Sequence, residues 1–177
     1  AVNTDYLKGP AGYVDYYEGA GWYGTFTELN NTSMYKLRLA ENPGTIEYEG
    51  SEIDPLSLPI NISSGWNWIS FIPLESMSLN YALASIDDDA IPGDYIKGQS
   101  GYADYYESFG WFGVGIDALS PTKGYLLEMQ NSSTLYYPSE SESGLGLTHI
   151  TSNNHKDPRW NFNYNDFEFN GSATIEL

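Results

Sequence analysis

The sequence predicts a mainly β protein: antiparallel repeat units, each a strand, a short helix and a β-meander, in two related copies followed by a C-terminal strand segment. Three observations carry this expectation. Aromatic residues make up 16% of the chain, with 16 Tyr among 177 residues, and Tyr, Trp, Phe, Thr and Ile suit a pleated, half-buried surface. Gly and Pro, 18 and 9 in number, are frequent enough to punctuate many turns. One segment occurs twice, 89 residues apart.

The first copy of that segment runs Tyr6-Leu7-Lys8-Gly9-Pro10-Ala11-Gly12-Tyr13-Val14-Asp15-Tyr16-Tyr17-Glu18, then Gly21-Trp22-Tyr23-Gly24. The second runs Tyr95-Ile96-Lys97-Gly98-Gln99-Ser100-Gly101-Tyr102-Ala103-Asp104-Tyr105-Tyr106-Glu107, then Gly110-Trp111-Phe112-Gly113. Roughly two-thirds of these positions are identical, the mark of a repeated supersecondary unit. More weakly, Met34 to Leu39 matches Gly124 to Met129, and Thr45 to Tyr48 matches Thr134 to Tyr137. Turn residues such as Asn42-Pro43-Gly44 and Ser120-Pro121-Thr122-Lys123 bound these stretches. A unit therefore holds about five short strands in series, which suits antiparallel pairing.

Only the second copy has a preface. Within Gly65 to Phe71, Trp66, Trp68 and Ser70 alternate with Asn67, Ile69 and Phe71 as in a strand. Ser78 then stands as a candidate N-cap ahead of Leu79, Leu83 and Ile86, which recur at helical spacing. The expected organisation is a partial first repeat over 1–50, a linker over 51–59, a complete repeat over 60–138, a linker over 139–148 and a strand segment over 149–177. Pro55 and Pro59 mark the first linker, and a Ser-, Glu- and Gly-rich run marks the second. Beyond it, Phe162, Tyr164, Phe167, Phe169 and Ala173 to Leu177 look strand-forming, as the start of a further β unit or a donor strand. Without a basic n-region and an apolar h-region, Ala1 reads as a processed or internally cut N-terminus.

The string Gly65-Trp66-Asn67-Trp68-Ile69-Ser70-Phe71, followed by Gly93 to Tyr102 and Gly110-Trp111-Phe112-Gly113, resembles a tandem repeat of large secreted and cell-surface proteins of Bacteroidetes and related prokaryotes. Leu119 to Met129 is similar to that repeat's glycine-tyrosine strand, and Thr134 to Pro138 to its closing strand. The resemblance covers 60–138 well, 6–49 in part and the tail loosely. It implies an extracellular or cell-surface location and a repeat architecture. It supplies no catalytic residues.

Charge narrows the function classes. With 24 acidic against 7 basic residues, the chain carries a formal net charge of −17. Such a field repels nucleic acid and anionic membranes. No apolar run approaches the roughly 18 residues that span a bilayer. Cysteine is absent, which removes disulfides, thiolate nucleophiles and Cys-based metal sites.

Residues able to carry chemistry are few. His149 and His155 are the only histidines, and no nucleophile-elbow pattern accompanies them. The matched acids Asp15/Asp104 and Glu18/Glu107 read as strand-face or turn features rather than a glycosidase pair. Oxygen ligands for Ca²⁺ are available at Asp87, Asp88, Asp89 and Asp94, and again at Asn161, Asn163, Asn165 and Asp166. A solvated turn is the plainer reading of the three consecutive aspartates. Tyr106, Trp111, Tyr17 and Trp22 are candidate sugar-stacking residues. Strand neighbours point to opposite faces, however, so one Tyr of each Tyr-Tyr pair belongs to the core, and core packing competes for both tryptophans. Glycosylation sequons begin at Asn30, Asn31, Asn61, Asn131 and Asn170.

The expected function is a non-catalytic structural or adhesive module that binds copies of itself, head to tail by strand exchange, into a filament or surface layer. The alternative is a carbohydrate-binding module of a secreted polysaccharide-active protein.

Overall fold

A computed structural model describes residues 1–41, 44 and 50–139, all within the first of the two units, Ala1–Gly144 and Leu145–Leu177, into which the chain divides. The protein is mainly β, in antiparallel sheets with one short α-helix. Thr45 to Tyr48 and the strand segment over 149–177 lie outside the described residues.

The first sheet is built from Tyr6–Gly9 (β1), Gly12–Tyr17 (β2), Gly21–Gly24 (β3) and Lys36–Arg38 (β4), in the order β3-β2-β1-β4. A two-residue turn joins β1 to β2, and a three-residue turn joins β2 to β3. Gly21 holds φ +97°, a conformation that costs a side-chain-bearing residue more than glycine. The stretch expected to be a linker then carries a 3-10 turn, Pro55–Ser57, opened by Asp54, whose side chain accepts from the Leu56 N–H at 3.1 Å.

Next come Ile60–Ile62 (β5), Gly65–Ser70 (β6) and Met77–Ser78 (β7). The helix follows as Leu79–Leu83 (α1) and tightens into a 3-10 turn over Ala84–Ile86. Ser78 occupies the N-cap position, and Leu79, Leu83 and Ile86 are buried, as their spacing predicts. The chain continues through Tyr95–Lys97 (β8), Tyr102–Tyr106 (β9), Gly110–Val114 (β10), Ala118–Leu119 (β11), Gly124–Met129 (β12) and Ser133–Leu135 (β13). The main sheet has the order β10-β9-β8-β12-β6, while β7 pairs with β11 and β5 with β13.

Residues that recur along the sequence also pair alike. Tyr6 faces Asp15 as Tyr95 faces Asp104, and Tyr16 faces Trp22 as Tyr105 faces Trp111. Leu7 lies between Val14 and Leu37, and Ile96 between Ala103 and Leu127. The two sheets differ beyond the fourth strand. Strand β12 has β6 on its second side, whereas β4 has no described strand there. Instead the chain just before β4 touches the outer edge of β6: Ser33 bridges Ile69, and the Met34 N–H donates to the Trp68 carbonyl at 3.2 Å.

Alternating burial along β12 marks the two faces of the main sheet. Ile69, Ile96, Ala103, Trp111, Tyr125, Leu127 and Met129 face inward, against Leu79, Ala82, Leu83 and Ile86 of the helical segment and Ile60, Ile62 and Leu135 of the small β5–β13 sheet. This layer is the core. Trp66, Tyr102, Tyr106 and Phe112 lie on the other face and are exposed.

Candidate functional site

Strand registers place the outward side chains in rows. Across the main sheet one row reads Phe112, Asp104, Tyr95, Glu128 and Trp66, and the next reads Val114, Tyr102, Lys97, Leu126 and Trp68. The rings interact: Tyr95 stacks with Tyr102 at 5.7 Å between centroids, and Trp66 meets Tyr95 edge-on at 6.0 Å. The Lys97 ammonium sits 4.7 Å from the centre of the Trp66 ring, and the Lys36 ammonium 5.1 Å from that of Trp68. On the first sheet the corresponding rows read Tyr23, Asp15, Tyr6, Arg38 and Tyr13, Lys8, Lys36.

The four residues singled out for sugar stacking do not share a surface. Tyr17 and Tyr106 are half exposed on the outward faces. Trp111 is 2% exposed and points into the core, edge-on to Tyr105 at 5.3 Å. Its indole N–H donates to Asp87 Oδ1 at 3.3 Å. Asn80, in α1, clamps its backbone from both sides: Oδ1 accepts the Trp111 N–H at 2.7 Å, and Nδ2 donates to its carbonyl at 3.0 Å. Trp22 makes the matching contact with Tyr16, at 5.4 Å, yet is 42% exposed because no described helix covers it.

The acidic residues are engaged in the fold. Asp94 is buried, and its two carboxylate oxygens accept from the backbone N–H groups of Ile91 at 2.9 Å and Gln130 at 2.8 Å. Asp5 repeats the arrangement, accepting from Val2 at 2.8 Å and Ala40 at 2.6 Å. Asp5 thus staples the chain before β1 to the chain after β4, and Asp94 the chain before β8 to the chain after β12. The Ala40 and Val2 N–H groups hold the Asp5 carboxyl below its ordinary value. Sequence reasoning missed this role. The signal was present in the Asp-Tyr-aliphatic-Lys-Gly string shared by Asp5 to Gly9 and Asp94 to Gly98.

Asp89 accepts from the Ser133 hydroxyl at 2.6 Å and, through its carbonyl, from Asn131 Nδ2 at 2.9 Å. Asp87 is half-buried, and burial pushes its carboxyl up to about 6, aided by the neighbouring Asp88 charge and opposed by the Trp111 indole N–H. Among the described residues no three acidic or histidine side chains gather as a metal-ligand set. Asn161, Asn163, Asn165, Asp166, Asn170 and both histidines lie outside the described residues. Asn30, Asn31, Asn61 and Asn131 are exposed.

A scan against protein-family models, a search of curated proteins and a search of solved structures each found no match.

Proposed function

We propose that this chain is a non-catalytic, extracellular structural or adhesive module that associates with neighbouring copies through the free side of the first sheet. One observation carries the reading: β4 has no described strand on its second side, where its counterpart β12 is covered by β6. Leu37, on β4 itself, is exposed, while its counterpart Leu127 is buried. Unpaired edges recruit strands. The sequence from Phe162 to Leu177 is a suitable donor: it carries Asp166, Glu168 and Glu176 and no basic residue, against the exposed Lys36 and Arg38 of β4. Light scattering over a concentration series tests this. The mass should grow with concentration and fall back to a single chain in the Lys36→Glu/Arg38→Glu variant. A single-chain mass at every concentration in the unaltered protein overturns it.

A second reading, a polysaccharide-binding module, is favoured by the outward tyrosines. Tyr13/Tyr102 and Tyr17/Tyr106 are identical in the two stretches although they are exposed. Core packing does not require this, and a face shown twice suits a periodic polymer. Electrophoresis through gels containing a soluble β-glucan should show retardation that Tyr102→Ala/Tyr106→Ala removes.

A further inference from the structure

We propose that a cavity of about 710 Å³ between the start of β4 and the β8–β9 turn binds a short acidic saccharide through Lys36, Lys97 and Lys123. The chain has 7 basic residues against 24 acidic ones, yet three lysines line this one cavity, and no Asp or Glu is among its described lining residues. Three lysines lining one cavity raise the local positive potential there, which favours an anion. The Lys36 and Lys97 ammonium groups lie over the Trp68 and Trp66 rings, contacts that leave their charge in place.

The remaining polar lining is uncharged and hydroxyl- or amide-bearing: Gln99, Ser100, Thr122, Tyr35 and Tyr125. Such groups both donate and accept, which matches sugar hydroxyls, and the volume lies in the range of small-ligand sites, about 300–1,000 Å³. An acidic peptide from a second copy fits less well, since it brings another chain of net charge −17 against this one. A small acidic sugar meets mainly the local cations, because more distant charges are screened beyond about 8 Å at physiological salt. The site shares Lys36 with the proposed strand-exchange edge, but Lys97 and Lys123 lie outside β4, so variants at those two positions test the cavity separately.

Titration calorimetry on the full chain with trigalacturonate, with the uncharged galactose trimer and with a synthetic Ser139–Ser143 peptide tests the proposal. Trigalacturonate is expected to bind, more weakly at higher salt, and Lys97→Gln and Lys123→Gln should each weaken it by about fivefold to tenfold, the loss of one charge-assisted contact. Lys123→Gln guards against misfolding, because Lys123 is exposed. Absence of trigalacturonate binding, equal binding of the uncharged trimer, unchanged affinity in both variants, or binding of the acidic peptide alone overturns it.

Discussion

At the residue scale, the two buried aspartates join backbone segments that are distant along the chain. Asp94 accepts two backbone N–H groups from chain segments on either side of the main sheet. In Asp94→Asn one oxygen becomes an amide that cannot accept, leaving a buried N–H unpaired. The expected cost is about 1–3 kcal/mol, read as a lower urea midpoint at unchanged slope. The same change at exposed Asp88 should leave the midpoint within error. Asp87 has a different signature. Its carboxyl is raised from 3.8 to about 6, so across that interval the folded chain holds more protons than the unfolded one. Its contribution to stability is therefore fully present below the ordinary value and is lost as pH rises through the raised one. Unfolding midpoints measured at several pH values should show this loss, and Asp87→Asn should flatten it. Asp5 acts in the opposite sense. Its lowered carboxyl contributes stability above the ordinary carboxylate range, lost as pH falls through its own folded value.

At the element scale, α1 decides which tryptophan is core. Trp22 and Trp111 have the same register and the same tyrosine partner, so local sequence does not separate them. Asn80 does, by binding both backbone groups of Trp111. Asn80→Ala should destabilise the protein by about 1–3 kcal/mol, and fluorine labels on tryptophan should show Trp111 becoming more mobile while Trp22 is unchanged. Equal shifts at both tryptophans would remove this account. The helix itself was legible from the spacing of Leu79, Leu83 and Ile86. Its division into five α-helical residues and a 3-10 turn was not. A helix this short owes its stability to tertiary packing more than to propensity, and that packing is set by the strands beneath it.

At the scale of the whole molecule, β12 is flanked on both sides, whereas among the described residues β4 has a strand on one side only. If copies associate through the other side of β4, a thiol label at Leu37→Cys should lose solvent accessibility as concentration rises, and Trp22, on the opposite edge strand β3, should not change. The net charge of −17 opposes such contact, so association should strengthen when salt is raised from low to physiological levels, where screening shortens to about 8 Å. Association that weakens over the same range would instead favour contacts made between opposite charges alone.

Aromatic content and frequent turn residues already mark the β class, and the alternation within Gly65 to Phe71 already marks a strand there. These are local properties: period, turn chemistry and residue type act within a few neighbours. Only the tertiary structure decided which tryptophan is buried, what Asp5 and Asp94 hold together, and where Lys36, Lys97 and Lys123 converge. Burial and charge environment are set by segments distant along the chain, such as α1 over Trp111 and β4 beside the β8–β9 turn. No pattern of near neighbours encodes them.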